Sequence, residues 1–256
     1  MLPLSLRLYV ALIALLLLFP LGIVMTVSFD PGQYIVFPVT GYDIKWYFKM
    51  WQEPTIVLAM KNSLIVGLSS SLIAAVVAVP ASLHIARRTD GGGALYAWIL
   101  SPFTTPWIVY GLALLFFWGA ADLDLSIWTL ILGHSVIGVP YVVRVTTAVL
   151  RSMPAELTKA ARGLGASPLR AFWHVTLPYI RGGVLAGTSF AFIVSFTNIP
   201  VSLFVTTADN ITLPIAVFNY MVNNFEPLVA AVSVVQVLII LCVLFIARKF
   251  IKIDGA

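Results

Sequence analysis

Charge is what this 256-residue chain has least of. Its 15 Lys and Arg and 10 Asp and Glu make up 10% of the sequence, against 61% apolar residues. A soluble domain carries roughly 25% charged residues to cover its surface. With a mean hydropathy of +1.02, the apolar excess has to meet lipid, and a water-soluble fold is excluded. Cysteine is nearly absent too. Cys242 alone permits neither an intrachain disulfide nor a thiolate metal site, and inside an apolar run it reads as a small packing residue. His84, His134 and His174 fall on different segments without metal-ligand spacing, so no metal is assigned. No G-x-x-x-x-G-K-[ST] occurs, and Gly91-Gly92-Gly93 lacks the Lys that would follow, so it reads as a turn. The chain therefore has no nucleotide site of its own, no assigned catalytic residue and no cofactor. A net charge of +5 does not indicate nucleic acid, because the cations are scattered between apolar runs rather than gathered in a groove.

Long apolar runs are what is there. Six reach the ~20 residues needed to cross hydrocarbon, at 7–28, 62–86, 94–119, 127–150, 183–206 and 228–250. The first ends in Ser28-Phe29-Asp30-Pro31 without a cleavage pattern and reads as a retained span. The expected class is an all-α, polytopic membrane protein, one transmembrane domain over 1–256. Breakers separate the runs: Asp30-Pro31-Gly32, the Gly91-Gly92-Gly93 run, Asp122 to Asp124, and Pro227. With both termini cytoplasmic, twelve of the fifteen Lys and Arg lie inside and only Lys45, Lys49 and Lys61 outside. The positive-inside rule favours that orientation. In the first outer loop, Asp43 can cap a short helix with Ile44, Phe48 and Trp51 on one face. That helix either lies in the headgroup layer or packs on the bundle as a lid.

Within the fifth run, Gly183, Gly187, Ala191 and Ser195 recur every four residues, followed on that face by Asn198 and Ser202. Such a stripe lets another helix approach closely; alternatively its polar half lines a solute path. His134, inside the fourth span, reads as a neutral imidazole bonded to a neighbouring helix. The segment 151–182 differs from the rest, being basic and moderately apolar. Pro154 suits a first helical turn, Gly165 a left-handed stop after Leu164, and Ser167-Pro168 the start of a second helix ending near Leu177-Pro178. Ala160 and Ala161 leave a smooth patch for docking.

This loop resembles the cytoplasmic "EAA" loop of the permease subunits of binding-protein-dependent ABC importers. The match is Lys159-Ala160-Ala161, then Gly165, then Val175-Thr176-Leu177-Pro178. The wider chain resembles the polyamine (spermidine/putrescine) branch through its six spans, Lys61-Asn62-Ser63, Gly133-His134 and Thr212-Leu213-Pro214. The resemblance implies a type I importer bundle in the bacterial inner membrane and a second permease beside it, favouring a different chain. It also implies two ATPase subunits that bind ATP and Mg, and an extracytoplasmic solute-binding protein. Glu156, Lys159, Ala160, Ala161, Gly165, Ser167, Pro168, Leu177 and Pro178 would form the ATPase-coupling loop. Tyr110, Ser195, Thr197 and Asn198 are the candidate solute path, for a small organic solute such as a polyamine or related amine. Two departures stand out. Lys159 occupies the position where the family carries an acid, and no Asp or Glu lies in any of the six runs. A polycation would then find its counter-charges on a partner permease or the binding protein. The rival reading, a gradient-driven secondary transporter or channel, needs intramembrane acids, and a membrane-embedded enzyme needs converging bases.

Overall fold

The computed structural model describes residues 3–88 and 93–250, and its residues fall into two compact units. Gly91 and Gly92 of the turn reading and Lys252 of the charge reading lie outside the described residues.

One unit comprises Met1–Leu58 and Ala216–Leu241. It opens with α1, Leu4–Val27, which is apolar on every side and exposed from Leu4 to Gly22. A helix with no polar face has to be covered by lipid or by another protein. Beyond it, the backbone is tied by polar contacts around Asp30. That buried carboxylate accepts from the Gly32 N–H at 3.0 Å and the Thr40 hydroxyl at 2.7 Å. These two bonds hold its pKa below the ordinary carboxylate range. The Asp30 carbonyl accepts from Trp46 Nε1 at 2.7 Å, and the Tyr47 hydroxyl meets Ser28 Oγ at 2.7 Å. Trp46 belongs to α2, Lys45–Gln52, whose first N–H bonds Asp43 Oδ1 at 3.0 Å, as the sequence suggests. One face of α2 is buried through Trp46 and Met50, while Ile44, Phe48 and Trp51 face outward. The helix is therefore seated on its unit by one face and presents an apolar face to its surroundings. Lys49 pairs with Glu226 at 2.6 Å, and Tyr220 donates to the same carboxylate at 2.7 Å. Partial burial opposes the Glu226 charge, but these two donors hold its pKa below the usual value.

The other unit comprises Ala59–Ile215 and Cys242–Ala256. The helix α3, Pro54–Arg87, begins well before the expected 62 and carries Lys61 inside its first turns. The expected straight third span is replaced by a bend. Gly93–Leu100 forms α4, Ser101–Phe103 a 3₁₀ turn and Trp107–Ala120 α5, with 97° between the two halves. Pro106 cannot donate to a continuing ladder and disfavours helix at Thr105. The Thr104 and Thr105 hydroxyls donate instead to the Ser101 carbonyl at 2.9 and 3.2 Å, stabilising the corner. Among the described residues, five helices are long and apolar enough to cross a membrane, or six with the bent pair taken as one span.

The core of this unit is α6, Ile127–Ser152, lying along α9, Leu177–Phe196. The small-residue stripe is what makes the approach possible. A Cβ on Gly187 would stand 2.7 Å from Val142 Cα, and one on Gly183 2.7 Å from Val149 Cγ2. At Gly138 the Cβ atoms of Ala74 and Ala191 close in at 3.2 Å each, so α3, α6 and α9 meet on small residues.

Two helix ends differ from the sequence reading. The helix that starts at Pro168 does not stop at Leu177-Pro178. A short α8, Pro168–Ala171, passes through a π turn, Phe172–Thr176, directly into α9. In that turn the Leu177 N–H reaches back to the Phe172 carbonyl, five residues away. The extra residue per turn lets Pro178 sit in the first turn of α9, where its missing N–H leaves no broken bond. At the other end α9 stops at Phe196, not 206. Asn198 Oδ1 accepts from the Val201 N–H at 2.8 Å and turns the chain into α10, Ser202–Val205. Cys242, expected as a packing residue, lies exposed on α12, Leu228–Phe250, on a surface that lipid or another chain would cover.

The segments Lys61-Asn62-Ser63 and Thr212-Leu213-Pro214 come together. Asn62 Nδ2 donates to the Asp209 and Ile211 carbonyls, both at 3.1 Å, and Ser63 Oγ accepts the Leu213 N–H at 2.7 Å. Leu213 opens α11, Leu213–Asn223, so these bonds tie the chain segment leading into that helix to Asn62 and Ser63. Removing a partner leaves buried backbone groups unpaired, at about 1–3 kcal/mol each. The double variant Asn62→Ala/Ser63→Ala is therefore expected to lower the melting temperature by roughly 5–10 °C. Ser152→Ala, at an exposed site, serves as the reference and should stay within about 2 °C. Equal melting of the two in detergent would show that these bonds do not stabilise the segment Asp209–Leu213.

Candidate coupling loop and solute path

Between α6 and α8 the chain forms α7, Ala155–Gly163, none of whose residues is buried. Its end is a complete Schellman motif. Gly165 has φ +86°, its N–H bonds the Arg162 carbonyl at 3.0 Å, and the Ala166 N–H bonds the Ala161 carbonyl at 3.1 Å. Space around Gly165 is open, so the requirement for glycine here is the left-handed backbone alone. Ser167 Oγ then accepts the Arg170 N–H at 3.3 Å, and Pro168 takes the first helical position. The elbow read from sequence is thus present, with Leu164 at its tip and 91% exposed.

Helical spacing divides α7 into two faces. Ala155, Thr158, Lys159 and Arg162 line a cavity that α7 forms with the ends of α3 and α6. Glu156, Leu157 and Ala160 are exposed and absent from that lining, while Ala161 is half-buried. Leu177 and Pro178 lie in the first turn of α9, beyond the π turn, and belong to the helix that carries the elbow rather than to its tip.

The four expected path residues part company. Ser195 is buried in a hydrogen-bonded cluster with Ser70 at 3.1 Å and His134 Nδ1 at 2.8 Å. The other ring nitrogen of His134 meets Ser202 Oγ at 3.2 Å. With Ser70 donating to Ser195, Ser195 can donate to Nδ1 and Nε2–H to Ser202, which pairs every group of a neutral imidazole. His134 is thus bonded to neighbouring helical segments, as its position in the sequence suggests. Asn198 is buried as well, its oxygen engaged by Val201. Tyr110 is half-buried and donates to the Gly133 carbonyl at 3.1 Å. Thr197 alone is exposed. Ser195 and Asn198 therefore do not face an open path in this conformation. Ser70 is the member of the polar cluster that sequence reasoning left unassigned, whereas Ser202 was read as part of the polar half of the stripe. Ser70, in the middle of the Ser69–Ser71 run of an apolar helix, was the available signal.

Lipid-length helices carrying an exposed two-helix elbow at one end define a multi-pass membrane protein. The chain belongs to the family of binding-protein-dependent transport system inner membrane components, whose profile matches residues 67–252. It is a transmembrane subunit of an ABC importer and works with other subunits. Among relatives, it is 27% identical over 225 residues to the putrescine transport system permease protein PotI of Escherichia coli K12, covering 84% of this chain and 79% of that one. To the spermidine/putrescine transport system permease protein PotC of Haemophilus influenzae it is 24% identical over 230 residues, covering 90% and 89%. The fold is similar to that of a chain of a bacterial ABC transporter involved in alginate import, with a TM-score of 0.71 over 96% of this chain and 95% of that one, at 16% identity. A chain of the MetNI methionine transporter follows at 0.65, covering 81% and 98% at 17% identity.

Proposed function

We propose that this subunit forms half of the translocation path of an ATP-driven importer in a bacterial inner membrane, with both termini cytoplasmic. The observation that carries the reading is the elbow of α7 and α8, solvent-exposed and rigidly capped at Gly165, on a chain without a nucleotide motif of its own. The energy source is then a separate pair of ATPase subunits that bind ATP and Mg and grip the elbow. Closure of that pair moves α7, α8 and the continuous π turn and α9 as one lever. The second permease is a different chain, and an extracytoplasmic binding protein delivers the solute.

The substrate class proposed is a small organic amine of the polyamine kind, supported by the relatives that carry putrescine and spermidine in their names. The spans of this chain contain no Asp or Glu, so the counter-charges come from partner subunits, and this chain contributes hydroxyls such as that of Thr197. Absence of intramembrane acids also disfavours a gradient-driven carrier. The test is uptake of labelled putrescine into proteoliposomes holding the complete assembly. ATP inside and binding protein outside should both be required, with spermidine competing. Uptake that ignores ATP and collapses with an ionophore would overturn the proposal.

A further inference from the structure

The cavity behind α7 has a volume of about 570 Å³, and the charged side chains among the described residues that line it are all cations. Arg87 from the end of α3, Arg151 from the end of α6, and Lys159 and Arg162 from α7 surround it, and among the described residues no Asp or Glu lines it. Gathering four cations around one concavity raises the local potential and favours an anion there. The wall on the side of the spans is apolar, with Leu83, Leu150 and Phe172. An occupant that satisfies both halves carries an anionic head and a hydrocarbon body.

Its position points the same way. Two of the four cations close membrane-length helices, so the cavity lies at the level where apolar span gives way to headgroups. Arg151 stands 5.9 Å over the Tyr96 ring, and Trp173, on the neighbouring π turn, is exposed, the aromatic setting of a membrane interface. Lys159 is the residue where the family's loop carries an acid. Here it faces the cavity and not the outward side of α7, where Glu156 and Ala160 lie, so its charge is directed at the cavity's occupant.

We infer that the cavity binds the phosphate of an anionic lipid headgroup, bracing the back of the coupling helix against the membrane. The orientation proposed above enters only in naming the inner leaflet as the source. Lipid retention is read on the chain itself, so it can fail while the importer reading stands, and the reverse.

The experiment is native mass spectrometry of the full chain, released from nanodiscs of phosphatidylglycerol and phosphatidylethanolamine in equal amounts. Wild type should retain phosphatidylglycerol preferentially. Arg87→Gln/Arg151→Gln should lose that preference by about fivefold for each charge removed. Arg87→Lys/Arg151→Lys keeps the charge and should keep most of the preference, which separates charge from folding. Arg170→Gln, outside the cavity, should match wild type. Three results would overturn the inference. One is unchanged lipid preference in the glutamine pair. Another is displacement of the lipid by millimolar glycerol phosphate, which would make the cavity a site for soluble phosphates. The third is loss of a co-purifying ATPase with lipid retention intact, which would assign the cations to an acidic partner protein.

Discussion

Replacing Gly187 by leucine is expected to abolish accumulation of folded protein. The nearest obstacle to a side chain there is backbone, not a movable side chain. A Cβ would stand 2.7 Å from Val142 Cα and 3.4 Å from the Tyr141 carbonyl oxygen. Neither atom can rotate away, so α9 would have to lift off α6 along its length. Overpacking a core by a few methylenes costs about 1–3 kcal/mol. Separating the central helix pair adds lost contacts at Gly138, Ala191 and the His134 cluster, against a total stability of about 5–15 kcal/mol. Gly187→Ala should show the same effect in reduced form. Gly22→Ala and Gly119→Ala, with nothing within 4 Å of the added carbon, should be neutral or slightly stabilising, since alanine is favoured over glycine in a helix by up to about 1 kcal/mol. Size-exclusion profiles of detergent extracts distinguish these cases. A Gly187→Leu protein that elutes and melts like wild type would mean that α6 and α9 do not approach this closely.

That close approach was legible as a four-residue repeat because it is a local pattern with one physical meaning. Gly165 was legible for the same reason, since a helix stop followed by Ser-Pro constrains the backbone within a few residues. The bend in the third span was within reach too. Pro102 and Pro106 interrupt that run, but its hydropathy is high enough to mask them. The π turn was not legible, because whether Pro178 ends a helix or rides at the start of the next depends on one extra residue in the turn before it. Least readable were the polar clusters. Asn62 meets the carbonyl of Asp209, 147 positions away, and His134 meets Ser195, 61 positions away. No periodicity announces such pairs; they exist because a buried polar group in an apolar helix must find whatever partner the fold brings near. The same logic accounts for the burial of Ser195 and Asn198. Their polarity marked them in the sequence, but polarity in a span serves helix contacts as readily as solute.

The second large effect is expected at the elbow, where two variants act by different routes. Gly165→Pro attacks its shape. Proline fixes φ near −65° where the chain needs +86°, and it removes the N–H that bonds the Arg162 carbonyl. The angle between α7 and α8 is then lost, although the spans, whose packing lies elsewhere, should still form. Leu164→Asp leaves the shape alone, since a side chain 91% exposed touches little of its own subunit. It places a charge where a partner would bury a leucine, a change worth about 2 kcal/mol or more at the centre of an interface. Both should reduce solute-stimulated ATP hydrolysis of the reconstituted assembly at least about tenfold, while the permease alone melts as wild type for Leu164→Asp. Gly165→Ala should fall between, because alanine tolerates the left-handed region at about 1–2 kcal/mol. If Leu164→Asp and Gly165→Pro both support wild-type hydrolysis and uptake, the elbow is not the lever.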